Sequence, residues 1–150
     1  PYTTLFRSRV VGTARLAPTL VAGAPDTDAA RIAVLIAAGA EVSTTGTDPA
    51  AVLGLLAARG VTRVLVEGGP RVARSFLEGG VVDEVVVYRG ARRVDGASLP
   101  PFVDAGLALI DNGFIVVDER RLGADRMTRY RCASGPLADA IAALPGKSRE

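Results

Sequence analysis

Glu67-Gly68-Gly69-Pro70 is the stretch of this chain whose residue types and spacing could do chemistry, and that chemistry is the holding of an anion. An apolar run, Thr62 to Val66, leads into it, and a short amphipathic segment, Pro70 to Glu78, leads out. Two glycines allow a tight turn and remove the Cβ atoms that would keep a ligand from the backbone. Proline suits the first position of a helix. A helix opened there aims its unpaired N–H groups and the positive end of its dipole beyond the preceding strand. Phosphate is the natural guest of that arrangement. The same Gly-Gly-Pro also makes a plain strand-to-helix turn with no ligand, and it is not the GxGxxG of a Rossmann fingerprint. Glu67, at the strand's carboxyl end, offers a carboxylate that can accept hydrogen bonds from sugar hydroxyls; as a solvated turn residue it would do nothing of the kind.

The elements that must position this turn follow a strand–helix rhythm. Pro18 to Ala22 reads as a strand, and Asp26-Thr27-Asp28 supplies N-cap candidates for a helix over Ala29 to Ala38, stopped by Gly39. Glu41 to Thr44 is a second strand. Asp48 caps, Pro49 opens and Gly60 closes the next helix. Thr62 to Val66 is expected as a third strand, continuous in valine and leucine like a strand buried on both faces. The helix from Pro70 to Glu78 places Val72, Ala73, Phe76 and Leu77 on one face and Arg71, Arg74 and Ser75 on the other. Asp83 to Tyr88 returns as a strand. Phe114 to Asp118 and Met127 to Cys132 then read as an antiparallel pair joined by the polar turn ERRLGAD, after an irregular stretch from Arg89 to Asn112. The expected fold is α/β, a mainly parallel sheet flanked by helices with a C-terminal antiparallel hairpin. Ligands of such sheets sit beyond the strands' carboxyl ends, where Glu67 lies. Ser43, Thr44 and Thr45 also follow a strand, and suit either a nucleoside contact or a polar loop.

Composition removes several classes of function. The chain has no histidine and one cysteine, Cys132. Ser-His and Cys-His nucleophile pairs are therefore absent, as is a zinc ligand set. A lone cysteine cannot form an internal disulfide and suits a reducing compartment, so the expected location is the cytoplasm. The formal net charge is +2 and mean hydropathy is +0.29. The arginines are scattered among acids, as in Asp118-Glu119-Arg120-Arg121, and form no basic stripe, so nucleic acid is not an expected partner. No apolar run approaches the roughly 20 residues that span a bilayer.

LVEGGPRVARSFLEGGVVDEVVVY resembles the central signature of the reductase domain of riboflavin biosynthesis, which reads Val-Glu-Gly-Gly-Pro, a short helix, then a Val-Asp-Glu strand. The similarity extends to PTLVAG, RGVTRVLVEGG and RRLGADRMTRY, spanning most of residues 10–132. The resemblance implies a dihydrofolate-reductase-like fold, incomplete here, and a homodimer. It also implies NADPH-dependent reduction of the ribosyl group of 5-amino-6-(5-phosphoribosylamino)uracil to a ribityl group. NADPH phosphates would lie on Gly68, Gly69, Pro70, Arg71, Val72, Ala73, Arg74 and Ser75, and the phosphoribosyl pyrimidine substrate at Glu67. It implies no metal and assigns no catalytic side chain.

The chain departs from that pattern in two ways. Family members follow the Val-Asp-Glu strand with an Ala-Pro pair and a glycine turn, where this chain has Arg89-Gly90-Ala91-Arg92-Arg93. The family's upstream half, which carries the first strand and most of the substrate and nicotinamide contacts, and the zinc deaminase domain usually joined to it are expected to be missing from this chain. PYTTLFRS, residues 1–8, looks like a translated sequencing adapter, which makes residues 9–133 a partial reductase domain and 134–150 a tail. A partial domain is expected to be inactive alone. Two other readings stay open, a non-catalytic nucleotide-binding module and the sugar-nucleotide half of a transferase.

Overall fold

A computed structural model describes residues 8–91, 110 and 113–135 of the chain. The chain divides into two compact units, with the boundary in the sequence between Leu65 and Val66.

The first unit opens with a short helix, α1 (Arg9–Gly12). Local side chains decide this. Ser8 Oγ accepts from the Val11 N–H at 3.4 Å, and Thr13 Oγ1 donates to the Arg9 carbonyl at 2.8 Å, so both ends of the turn are tied. Strand β1 (Leu20–Ala22), helix α2 (Ala29–Ala37) and strand β2 (Glu41–Ser43) form a βαβ unit, with Val21 beside Val42 in a parallel ladder. Among the cap candidates Asp28 is the one used, accepting from Ala30 N–H at 3.0 Å. Gly39 ends α2 with φ 97°, while Ala40 N–H reaches back to the Leu35 carbonyl, closing a Schellman turn. Val11, Ala14, Leu35 and Ala40 form the buried centre of this unit, with Val21, Ala38 and Val42 packed against it. Helix α3 (Pro49–Ala57) follows, capped by Asp48 and opened by Pro49 as expected.

Thr62 to Val66 is not a strand here. No ladder reaches it among the described residues, and Leu65 is 80% exposed, with Val61, Val64 and Val66 also exposed. A continuous apolar run satisfies one requirement of a buried strand, the side chains. The other requirement, a neighbour that takes the backbone N–H and C=O groups, is supplied by tertiary context, which overrides propensity. Val61 N–H is already committed to Leu56 O in the turn that ends α3.

The second unit holds helix α4 (Pro70–Glu78) and an antiparallel sheet of β3 (Glu84–Arg89), β4 (Phe114–Leu122) and β5 (Asp125–Cys132), in the order β3-β5-β4. β5 thus lies between the other two rather than at an edge. The strands of the hairpin are longer than expected, because most of ERRLGAD is drawn into the ladder. Only Gly123 and Ala124 remain as a turn, with Leu122 opposite Asp125. Gly123 takes φ 65° at the first turn position, as the tight hairpin requires. A bulge between Val116 and Asp118 adds one residue to β4. The α/β class therefore holds, with one parallel pair and one antiparallel three-stranded sheet among the described residues. Most of the Arg89–Asn112 stretch and most of the Ser134–Glu150 tail lie outside the described residues.

Candidate functional site

All nine sequence-predicted site residues, Glu67 to Ser75, fall in the second unit, on the approach to α4 and its first turns. The helix starts where Pro70 predicts. Gly69 is its N-cap, in extended backbone at φ −66° and ψ 175°, and has no side chain with which to cap. Its carbonyl accepts the N–H of Val72 at 3.0 Å and of Ala73 at 3.2 Å. The N–H groups of Gly69 and Arg71 have no partner among the described residues. No acidic residue sits in the first turn of the helix, while Arg71 is exposed there without a partner among the described residues. A first turn commonly carries an acid to offset the positive end of the dipole. Here the turn has free donors and a cation, which suits an anion from outside.

The two glycines do different work. Neither has a positive φ, so neither is required by backbone conformation. A Cβ on Gly68 would stand 2.6 Å from Val72 Cβ and 2.8 Å from its Cγ1, so Gly68 lets the chain lie against its own helix. A Cβ on Gly69 would meet nothing within 4 Å. The space in front of Gly69 is open, and it is the space into which the free N–H groups of an N-cap project.

The side chains expected to help separate into two groups. Glu67 and Arg71 are exposed and unpartnered among the described residues. Arg74 instead holds Glu78 at 2.8 Å, and Ser75 Oγ donates to the Val72 carbonyl at 2.8 Å, so both are engaged within the helix. Ala73, Phe76 and Leu77 are half-buried as the helical face requires, whereas Val72 is exposed. Ser43 and Thr45 hydrogen-bond each other at 3.0 Å in the first unit. No group of three or more metal-ligating side chains exists among the described residues.

A polar cluster that sequence reasoning missed lies on the inner face of the sheet. Thr128 is buried and donates to Glu119 Oε1 at 3.4 Å, and Arg89 reaches both Thr128 Oγ1 and Tyr130 OH at 3.5 Å. The alternation of Met127-Thr128-Arg129-Tyr130 was the signal that Thr128 and Tyr130 share a face. A polar depression of about 460 Å³ at the β4–β5 turn, lined by residues including Glu119, Arg121 and Arg126, shares no residue with Glu67–Ser75.

The fold is similar to that of a pyrimidine reductase-like protein from Corynebacterium diphtheriae, with a TM-score of 0.66 at 21% identity. The match covers 87% of this chain and 57% of that one, so the chain spans little more than half the length of that relative. No curated protein matches the chain. The model of the RibD C-terminal domain matches residues 4–106, which contain the whole of the Glu67–Ser75 turn and helix. On that match this chain belongs to the RibD C-terminal domain family, the reductase domain of riboflavin biosynthesis.

Proposed function

We propose that this chain binds NADPH at the start of α4 and serves the reduction of 5-amino-6-(5-phosphoribosylamino)uracil to its ribitylamino product. The observation that carries the reading is the uncapped first turn of α4, with free N–H groups at Gly69 and Arg71 and open space where a Gly69 Cβ would stand. Those donors fit a phosphate, and Arg71 adds a positive charge that can pair with it. Gly68, Pro70, Val72 and Ala73 contribute by holding the turn in this shape. Arg74 and Ser75 would contact phosphate only by giving up Glu78 and the Val72 carbonyl. NADPH, when bound, supplies the hydride that converts a ribosyl to a ribityl group; the protein's task is positioning and electrostatics.

Glu67 precedes the turn by one residue and keeps its carboxylate free. In this reading it accepts hydrogen bonds from the substrate's ribose hydroxyls, so one turn serves both reactants. Family membership supports the reaction class.

The test is direct titration of the chain with NADPH, followed by NADPH oxidation in the presence of the phosphoribosyl pyrimidine by a protein in which the family's upstream half is restored. Saturable binding with substrate-dependent oxidation is expected of the reductase. Binding without oxidation would favour the non-catalytic nucleotide module, and preference for a sugar nucleotide over NADPH would favour a transferase half. No NADPH binding by the folded chain would refute the proposal.

A further inference from the structure

Three arginines stand in one row across the antiparallel sheet. Arg89 of β3 lies opposite Arg126 of β5, and Arg126 opposite Arg121 of β4, so the register puts all three on the face that carries Thr128 and Tyr130. Like charges directly opposite one another destabilise a sheet, and opposite charges are the favoured pairing. Glu119, opposite Thr128 on the next rung of this face, is the acid that reaches the row. Its Oε1 lies 3.4 Å from Arg126 Nη1 and also accepts from Thr128 Oγ1 at 3.4 Å. Asp118 is taken by Arg120 and Arg129, and Asp125 accepts from the Ala91 N–H at 3.1 Å. Among the described residues one carboxylate therefore serves three guanidinium groups.

The bonds around the row are also loose. Arg121 is exposed and has no hydrogen bond or ion pair among the described residues. Arg89 reaches only neutral hydroxyls, Thr128 Oγ1 and Tyr130 OH, each at 3.5 Å. Satisfied charge-assisted bonds close to about 2.7–2.9 Å, as Arg131 and Glu84 do at 2.9 Å on the same two strands. Thr128 and Tyr130 are buried, and the Tyr130 hydroxyl proton has no acceptor among the described residues. Donors thus outnumber acceptors on this rung and the next. The depression of about 460 Å³ at this end of the sheet is lined by Arg121, Arg126 and Glu119.

We propose that the row Arg89-Arg126-Arg121 binds a small molecule through a diphosphate group. Guanidinium presents a planar fork of donors that matches phosphate oxygens, and it keeps its charge at any working pH. Neighbouring strands lie about 4.8 Å apart, so the outer two members of the row are rooted about 10 Å from each other. One phosphate reaches two neighbouring arginines; two linked phosphates reach all three. A long polyanion is a poor fit, because Glu119 and Asp125 border the row and a chain running past it would meet their carboxylates. The row shares no residue with Glu67–Ser75, and the inference does not rest on the NADPH reading.

Calorimetric titration of the chain with inorganic pyrophosphate tests this, beside Arg121→Gln, Arg126→Gln and a control, Arg63→Gln, which removes the same charge from an exposed position of the other unit. Thermal melts establish that each variant is folded. Arg121→Gln gives up no contact found among the described residues and relieves the like-charge row, so without ligand it should melt no lower than the parent. The expected result is saturable binding to the parent and to Arg63→Gln, with affinity at least tenfold weaker in Arg121→Gln and in Arg126→Gln. Inorganic phosphate, reaching two arginines, should bind about tenfold more weakly than pyrophosphate. ADP separates the two sources of the group: affinity equal to that of pyrophosphate marks a nucleoside diphosphate as the ligand, and tenfold weaker affinity marks the free ion. A folded parent that does not bind pyrophosphate, an Arg121→Gln protein that binds it like the parent, or a control that loses as much as the row variants would each overturn the proposal.

Discussion

Gly69→Asp separates the two things the start of α4 can be, an anion site or a helix end. In the free protein the substitution costs nothing in space, since a Cβ at Gly69 meets no atom within 4 Å and φ is −66°. It also supplies what the helix lacks. Aspartate is a good N-cap, better than glycine by a few tenths of a kcal/mol, and its charge offsets the dipole by about 0.3–1 kcal/mol. Melting should therefore rise slightly or stay unchanged. Toward NADPH the same carboxylate takes the N–H groups proposed for the phosphate and stands about 4 Å from a like charge. That repulsion is about 1 kcal/mol in a fully solvated site and about 4 kcal/mol in a half-dry one, so NADPH affinity should fall by roughly fivefold to a thousandfold. Gly69→Asn caps the helix without charge and should lose less. The assay is NADPH titration by calorimetry, with a thermal melt of each variant. A folded Gly69→Asp protein that binds NADPH like the parent would show that phosphate does not sit at this turn.

Gly68→Ala should destabilise the chain by about 1–3 kcal/mol, read as a lower melting temperature, because its Cβ would stand 2.6 Å from Val72 Cβ. Arg71→Ala should weaken NADPH binding by about tenfold, whereas Arg74→Ala, which loses only an exposed pair with Glu78, should change both affinity and stability little. Asp48→Ala removes the acceptor for the N–H groups of Ala50 and Ala51, at 2.9 and 3.2 Å, and should cost about 1 kcal/mol in a denaturant titration. Glu67→Gln keeps size while weakening the acceptor; calorimetry should show about tenfold weaker binding of the phosphoribosyl pyrimidine with NADPH affinity unchanged. Equal losses for both ligands would mean that Glu67 organises the turn instead.

Where local chemistry decides an element, the sequence predicts it closely. Asp28 and Asp48-Pro49 start α2 and α3 at the expected residues, Gly69-Pro70 starts α4, and Gly39 stops α2. Each depends on groups within one turn of chain, so nothing distant can overrule it. Thr62–Val66 is the opposite case. Its valines and leucine satisfy the side-chain pattern of a buried strand, but a strand is defined by a partner's backbone, which the pattern does not contain. The hairpin shows the same limit from the other side. ERRL and D of ERRLGAD look like loop by polarity, yet Gly123 alone provides the left-handed residue a two-residue turn needs, so the charged residues beside it join the ladder and pair across it.

The site was readable as residue types and unreadable as a division of labour. Gly68-Gly69-Pro70 identifies a helix opening, and two adjacent glycines look equivalent in a sequence. What separates them is the neighbour each Cβ would meet, Val72 for Gly68 and open space for Gly69. The first is a packing requirement, satisfied whether or not a ligand exists. The second places no demand on the free protein, so any of the capping residues Ser, Asp or Asn would stabilise the helix better there. A position where the fold permits a better residue and the chain carries glycine is a position where something other than folding sets the choice. Under the proposed NADPH reading, close approach of an anion to bare backbone N–H groups would account for glycine at that position. Arg71 fits the same logic, a cation left without a partner among the described residues at the positive end of a helix, where stability alone favours an acid. Arg74, three residues on, carries the same charge but meets Glu78. The two arginines, alike by residue type, are thus assigned to different work by partners that only the folded chain supplies.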